Sequence, residues 1–148
     1  MSFIGEFWNE SEKKMERIIW QDRYVDERAR VQFEDYKWGF VYWNFSMGGH
    51  CWMGEKYDEV YSYSEGLAAV KKYVVSEDPS KSRYKWGFID TTGKVVIPYI
   101  YTDVVTGKFV NGQTEVNTGK DNGFGDTYVY INKKGREIMP TFKARLIY

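Results

Sequence analysis

The feature that most restricts how this chain can fold is an internal repeat in its central part. One unit contains, in order, Tyr57-Asp58-Glu59-Val60, Ser64-Glu65-Gly66-Leu67-Ala68-Ala69-Val70, Trp86-Gly87-Phe88-Ile89-Asp90 and Gly93-Lys94-Val95-Val96-Ile97-Pro98. The unit restarts at Tyr101, residues 128–140 repeat the pattern of residues 89–98, and a partial copy begins near Arg28 and includes Trp38-Gly39-Phe40. A short unit of this kind cannot bury its apolar face alone, so the sequence predicts units that stack against one another.

Within each unit the residue pattern is typical of short β-strands. Aromatic residues make up 19% of the chain, and aromatic side chains pack well on a pleated sheet. Alternating or aromatic-rich runs predict strands at residues 28–33, 36–45, 67–75, 84–89, 95–97, 109–116, 128–131 and 136–139. The turn signals between them are Thr92-Gly93-Lys94, Asn111-Gly112 and Lys134-Gly135-Arg136, and residues 77–82 predict a polar loop.

The segment before the repeats, residues 8–24, has a spacing that indicates an amphipathic α-helix. Met15, Ile18 and Ile19 follow the i, i+3, i+4 pattern of one helix face. Its N-cap candidates are Asn9 and Ser11. We expect this helix to pack across an exposed sheet, with a detachable helix that binds a partner as the alternative.

These patterns together predict a mainly β fold made of antiparallel β repeats with one N-terminal α-helix. About two repeat units are clear and two are degenerate. We expect a single domain over residues 1–148, in which residues 1–26 form the helical segment and residues 27–148 form the β array.

The unit at residues 57–98 closely resembles the WG-repeat family of bacterial β-repeat proteins, also called KWG repeats. In that family, strands that read Ser-Glu-Gly-Leu-Ala-x-Val, Lys-Trp-Gly-aromatic-Ile-Asp and Gly-Lys-x-Val-Ile-Pro recur in this order. Residues 64–70, 85–90 and 93–98 match these strands almost throughout, whereas residues 45–53 depart from the pattern. The resemblance implies stacked antiparallel β units and carries no known catalytic residues.

The Trp-Gly pairs of the repeat, Trp38-Gly39 and Trp86-Gly87, are predicted to form the structural core of the array. A tryptophan provides a large apolar wedge between units, and a glycine permits close backbone approach beside it. The alternative is an exposed indole that stacks on a ligand.

Charge and composition argue against several classes of function. Lys plus Arg and Asp plus Glu each number 21, so the net charge is zero and gives no sign of binding to nucleic acid or to an anionic membrane. No run approaches the roughly 18 apolar residues of a membrane span, and the first residues do not resemble a secretory signal. We therefore expect a cytoplasmic protein.

His50 and Cys51, the one histidine and the one cysteine of the chain, are the first candidates for catalysis or metal binding. Neighbours in a strand point to opposite faces, so their adjacency argues against a Cys–His nucleophile pair, and zinc needs about four ligands. Residues 121–126 have a passing likeness to a calcium loop but lack its spacing, so a hairpin loop is expected. We predict no catalytic residue, no metal site and no cofactor, with an enzyme centred on His50 and Cys51 as an alternative.

The remaining functional signal is a surplus of aromatic side chains, which mark interaction surfaces when they are exposed. The candidates for partner binding are Trp43, His50, Trp52, Tyr61 and Tyr63. The irregular segment at residues 43–53 is the first place to look.

The leading functional hypothesis is a non-catalytic domain whose partner is another protein. Its sharpest form is an immunity-type protein that neutralises a bacterial toxin. That form rests on the resemblance, because small WG-repeat proteins look like frequent neighbours of toxin systems. A carbohydrate-binding or cell-envelope-binding module is the alternative, and the sequence leaves the oligomeric state open.

Overall fold

The computed structural model describes residues 5–121 and 126–139, and this part of the chain consists of β-strands with one 3₁₀ turn at Pro79–Lys81. In chain order the strands are β1 (Gly5–Asn9), β2 (Lys14–Gln21), β3 (Arg28–Phe33), β4 (Trp38–Asn44), β5 (Gly49–Trp52), β6 (Glu59–Val60), β7 (Ala68–Val74), β8 (Arg83–Ile89), β9 (Val95–Tyr101), β10 (Asp103–Val104), β11 (Gln113–Asp121), β12 (Asp126–Asn132) and β13 (Glu137–Ile138).

The strands form three antiparallel sheets that follow one another along the chain. The first sheet has the order β1-β2-β3-β4-β5, the second β6-β7-β8-β9 and the third β10-β11-β12-β13. Each strand pairs with its neighbours in sequence, so every sheet is a meander and corresponds to one repeat unit. The prediction of a mainly β fold therefore agrees with the structure in this respect.

The predicted N-terminal α-helix is wrong, because the described residues contain no α-helix. Residues 8–24 instead contain the end of β1, a tight turn and β2, so the described part of residues 1–26 belongs to the first sheet. Burial along β2 alternates: Glu16 and Ile18 are buried and Arg17 between them is exposed. Pairing with β1 on one side and β3 on the other satisfies the amide groups that a helix would have paired internally.

A left-handed two-residue turn joins the first repeated strand of each unit to the second. The positive φ angles are 51° and 63° at Asp26 and Glu27, 50° and 82° at Glu65 and Gly66, and 54° and 76° at Asn111 and Gly112. Two consecutive positive φ angles are the requirement of a type I′ hairpin turn, which matches the twist of the strands on either side. The recurrence of this turn gives all three units the same local geometry.

Acidic side chains of these turns connect each unit to the next. The Asp26 carboxylate accepts a hydrogen bond from the backbone amide of Gly66 at 3.0 Å. The two carboxylate oxygens of Glu65 accept from the amides of Asn111 and Gly112, each at 2.8 Å. The Ser-Glu-Gly run of the repeat therefore has a structural purpose, since its glutamate holds the following turn by charge-assisted hydrogen bonds.

Apolar side chains fill the spaces between successive sheets. The cluster between the first and second sheets comprises Phe40, Tyr57, Val60, Tyr63, Ala68, Val70 and Ile89. The cluster between the second and third sheets comprises Leu67, Ala69, Trp86, Phe88, Ile97, Tyr101, Val104, Phe109, Val116 and Ile131. Ala68 and Ala69 are consecutive in β7 and belong to different clusters, so the second sheet is buried on both faces.

The face of the first sheet that points away from the second sheet has its own cluster. Its buried members are Ile18, Ala29, Val31, Phe33 and Val41, and Phe7 and Trp52 pack against them. A cavity of about 260 Å³ beside this cluster is lined by Gly5, Glu6 and Phe7 of β1 and by His50 of β5, among others. The first sheet is thus curled, because its two edge strands line the same cavity.

The backbone of β9 leaves no room for a side chain at Gly87. A Cβ atom at this position would lie 2.7 Å from the carbonyl oxygen of Ile97 and 3.1 Å from backbone atoms of Pro98 and Tyr99. Since these contacts are with backbone, the strands β8 and β9 would have to separate, and we expect Gly87→Ala to cost about 2–3 kcal/mol of unfolding free energy in urea titrations.

The matched control for this substitution is Gly49→Ala. A Cβ atom at Gly49 has no neighbour within 4 Å. Gly49 lies in the edge strand β5, whereas Gly87 lies in the inner strand β8. Equal effects of the two alanine substitutions would show that close approach of β9 is not what requires Gly87.

Candidate functional site

The hairpin formed by β4 and β5 extends beyond the end of its repeat unit. Val41 pairs with Ala29 as Ile89 pairs with Ala68, so Val41 and Ile89 hold equivalent positions. Strand β8 ends at Ile89, whereas β4 continues through Asn44. The additional residues and the following turn therefore project past the stacked sheets, where aromatic side chains have no neighbouring unit to cover them.

The side chains of this projecting hairpin are unusually apolar for exposed residues. Trp43 is 42% exposed, Phe45 is 89% exposed and Met47 is 76% exposed. Exposed large apolar groups that lie together mark interaction surfaces, because removing apolar surface from water lowers the free energy. We call the group of Tyr24, Trp43, Phe45 and His50 the hairpin surface.

The rings of the hairpin surface have a defined mutual arrangement. Trp43 and His50 are register partners in β4 and β5, with ring centroids 5.1 Å apart and planes at 90°. The rings of Trp43 and Phe45 lie 6.3 Å apart at 76°. The Tyr24 hydroxyl and Nδ1 of His50 are hydrogen-bonded at 2.6 Å, which fixes the imidazole beside the tyrosine. The two contacts of Trp43 are edge-to-face, so its plane stands at a steep angle to the planes of both neighbouring rings.

A concave recess of about 410 Å³ opens between these side chains. It is lined by Tyr24, Glu27, Trp43, Phe45 and His50. Burial raises the pKa of the Tyr24 hydroxyl, which therefore stays protonated near neutral pH. The recess thus combines aromatic walls with a neutral phenol and one carboxylate, a lining suited to hold a side chain of another molecule.

The negative charge of the Glu27 carboxylate is only weakly neutralised by nearby cations. Its side chain is 95% exposed, and its ion-pair partner is Arg28 at 4.0 Å. The Arg28 guanidinium is already engaged, because it donates to the carbonyl of Thr91 at 2.9 Å and to that of Asp26 at 3.2 Å. The rim of the recess is therefore negatively charged.

His50 and Cys51 do not face each other. They are consecutive in β5, where His50 pairs with Trp43 and Cys51 pairs with Tyr42 on the opposite face. The Cys51 sulfur instead lies 3.8 Å from that of Met47. Across the described ranges, 5–121 and 126–139, no group of three or more His, Cys, Asp or Glu side chains is arranged to hold a metal ion.

Among the sequence-predicted residues, the structure brings Trp43 and His50 together at the surface and places the other three in packing roles. Trp52 donates its indole N–H to the carbonyl of Glu55 and packs edge-on against Phe33. Tyr61 packs against Trp86 with ring centroids 5.4 Å apart. Tyr63 is buried, and its hydroxyl donates to the carbonyl of Asp90 at 2.7 Å.

The sequence did not indicate Tyr24 or Glu27 as members of the site. Both lie beside the turn between β2 and β3, and pairing of the strands carries them to the recess. The signal that could have located them is the turn at Asp26, which holds the position of the Glu65-Gly66 turn in the next unit. The calcium-like run at 121–126 falls almost entirely outside the described residues.

The two Trp-Gly pairs lie between sheets and not on the hairpin surface. Trp86 is 3% exposed, and Gly87 lies against the backbone of β9. Trp38 is half-buried against Trp20, with ring centroids 5.6 Å apart. A Cβ atom on Gly39 would lie 2.8 Å from the ring of Phe33. These positions are those of packing residues.

A scan against protein-family models matches residues 56–73 and 86–114 to the family described as WG containing repeat. This chain carries WG repeats. The resemblance seen in the sequence is thereby confirmed. The matched residues fall on the second sheet and the beginning of the third, and they do not include the projecting hairpin. Searches among curated proteins and among solved structures found no match.

The residues of the WG-repeat match and the hairpin surface lie in different parts of the chain. The matched segments contain the buried Trp86-Gly87 pair and the Glu65 turn, which join units together. The hairpin surface lies in the segment where the repeat pattern is lost.

No helix in the described residues has the length and apolar character to cross a membrane.

Proposed function

We propose that this WG-repeat chain is a non-catalytic domain that binds a partner protein through the hairpin surface. The observation that carries the proposal is the cluster of exposed apolar side chains on the hairpin formed by β4 and β5. Aromatic side chains in a concave, partly dry setting are the groups that contribute most to protein–protein affinity.

A second exposed aromatic pair, Tyr73 and Tyr84, is less suited to this role. The two rings lie 5.0 Å apart across β7 and β8, and Lys71 lies over the ring of Tyr84 at 5.5 Å. They belong to the regular part of the β7–β8 strand pair. Tyr84 is therefore a useful control position of similar exposure to Trp43.

A more specific form of the proposal is an immunity-type protein whose partner is a bacterial toxin. It is supported by the WG-repeat match, because small WG-repeat proteins resemble neighbours of toxin systems, and by the hairpin surface, which offers one compact binding patch. Co-expression with the neighbouring open reading frame of the native organism tests it by growth. Growth protection that Trp43→Ala abolishes would support this form, and absence of protection by the unaltered chain would contradict it.

A carbohydrate-binding module is the second candidate function. The observation that favours it is the exposed Trp43 ring beside the polar groups of Tyr24, His50 and Glu27, since sugars stack on aromatic rings and hydrogen-bond at their edges. Tryptophan fluorescence across a glycan panel distinguishes it from the leading proposal. Saturable quenching that Trp43→Phe removes would favour a sugar ligand.

The leading proposal predicts that a photo-crosslinking phenylalanine analogue at position 45 captures a discrete protein in native cells. The same analogue at position 36 is the control, because Tyr36 is 66% exposed and lies in the β3–β4 turn, outside the hairpin surface. Adducts at position 45 and not at position 36 are the expected result. The same adducts at both positions, or none at position 45, would contradict the proposal.

A further inference from the structure

The recess on the hairpin surface is shaped as a corner of aromatic rings. The plane of Trp43 stands at 90° to that of His50 and at 76° to that of Phe45. The faces of indole and phenyl rings carry partial negative charge, and a cation placed over such a face within about 6 Å is attracted to it. A corner of this kind offers two faces to one positively charged group.

The charges around the recess favour the same occupant. Glu27 supplies the one carboxylate among the lining residues Tyr24, Glu27, Trp43, Phe45 and His50. Its carboxylate is exposed, and the guanidinium of Arg28 is directed to backbone carbonyls. An incoming lysine or arginine would therefore meet an exposed carboxylate whose ion-pair partner Arg28 lies 4.0 Å away and is held by two backbone carbonyls.

The same set of groups occurs a second time in the chain, and there a cation occupies it. The Arg30 guanidinium lies 5.3 Å from the ring centroid of Trp20 and 5.3 Å from that of Trp38. It also forms an ion pair with Asp22 at 2.7 Å. Two aromatic rings, on β2 and β4, and a carboxylate thus hold the basic side chain of β3 that lies between them.

The recess has the equivalents of three of these four groups. Trp43 and Phe45 correspond to the two rings, and Glu27 corresponds to the carboxylate. The basic side chain is the missing component. We infer that the recess binds a lysine or arginine side chain of the partner protein, with the cation over Trp43 and Phe45 and paired with Glu27.

This inference rests on the proposed protein-binding function. It is tested with short peptides, because peptide binding measures the selectivity of the recess independently of whether a partner protein binds the hairpin surface. The probes are acetyl-Gly-Lys-Gly-amide, acetyl-Gly-Arg-Gly-amide and the uncharged acetyl-Gly-norleucine-Gly-amide. Each is titrated to millimolar concentration into the full chain, and the indole resonance of Trp43 is followed by NMR. The basic peptides are expected to bind at least about fivefold more tightly than the norleucine peptide.

The variant that isolates the charge is Glu27→Gln. It is expected to weaken binding of the basic peptides at least about threefold and to leave the norleucine peptide unaffected. Glu34→Gln, an exposed carboxylate in the turn between β3 and β4, is the matched control and is expected to change neither. The Glu27 side chain is almost fully exposed, so this substitution leaves the fold intact.

Two results would overturn the inference. If the norleucine peptide shifts the Trp43 resonance as strongly as the basic peptides, the recess selects apolar and not cationic groups. If no peptide shifts it, the recess does not hold a basic side chain. In either case the crosslinking result at position 45 still decides whether the hairpin surface binds a protein.

Discussion

Replacing Trp86 by alanine is expected to lower the free energy of unfolding by about 3–5 kcal/mol, the range for deleting a large buried aromatic side chain. Trp86 is almost fully buried and belongs to the cluster that joins the second sheet to the third. It contacts Tyr61, and the Lys71 amine lies 5.8 Å from its ring. The resulting cavity lies between two sheets, so we expect loss of cooperativity between units as well as loss of stability.

Urea titration followed by circular dichroism measures this effect. Trp43→Ala is the matched control, because it removes the same side chain from an exposed position and is expected to cost about 1 kcal/mol or less. If Trp43→Ala destabilised the chain as much as Trp86→Ala does, the assignment of Trp86 to packing and of Trp43 to the surface would not stand.

Replacing Lys56 by methionine is expected to cost about 3–4 kcal/mol, because it removes the closest cation from the buried carboxylate of Glu16 and leaves the half-exposed Lys14 amine at 3.8 Å as its ion-pair partner. The Lys56 side chain is only 11% exposed, and its amine lies 2.7 Å from a carboxylate oxygen of Glu16 and 2.6 Å from one of Asp35. Burial of the amine opposes its charge, but hydrogen bonds to the two carboxylates outweigh this and raise the pKa of Lys56 above its ordinary value. This contact attaches the β1–β2 hairpin to the segment that leads to the second sheet.

Lys13→Met is the control for this substitution. Lys13 pairs with Glu10 in the β1–β2 turn, where both side chains are exposed, and its removal is expected to leave the free energy of unfolding nearly unchanged. Adding Glu16→Gln to Lys56→Met is expected to recover part of the loss, since it removes the uncompensated charge. Equal effects of the two lysine substitutions, measured by thermal and urea unfolding, would contradict a buried ion pair at Lys56.

The repeat and its strands could be predicted from the sequence because both depend on local patterns. The predicted strand at residues 28–33 has the bounds of β3, and the Asn111-Gly112 and Thr92-Gly93 signals fall on turns with positive φ at the glycines. Gly87 was expected to allow close backbone approach, and β9 lies against it. In each case the chemistry of one or two residues decides the conformation.

The N-terminal segment could not be predicted correctly because its apolar spacing is compatible with two structures. Ile18 is buried in either case, and Met15 fits a helix face but is exposed on β2. The Asn9 side chain accepts a hydrogen bond from the amide of Glu12 at 3.1 Å, as an N-cap does, yet it closes a hairpin turn. Pairing with β3 is a long-range contact that a local pattern does not contain.

Only part of the candidate site could be predicted, because only part of it depends on a local sequence pattern. Trp43 and His50 lie in the segment where the repeat is lost, and that loss is visible in the sequence. Whether an aromatic residue is exposed depends on the unit stacked against it, so Tyr63 could not be distinguished from Trp43 by residue type. Tyr24 and Glu27 reach the recess through pairing of β2, β3, β4 and β5.

We propose that the chain binds its partner through the hairpin surface, and that its Trp-Gly pairs serve for packing. The most direct measurement is the dissociation constant for the partner captured at position 45, determined by calorimetry for Trp43→Ala and for Tyr84→Ala. We predict at least a tenfold weaker affinity for Trp43→Ala with little change in Tm, and an unchanged affinity for Tyr84→Ala. An unchanged affinity for Trp43→Ala, or a loss only for Tyr84→Ala, would contradict the claim.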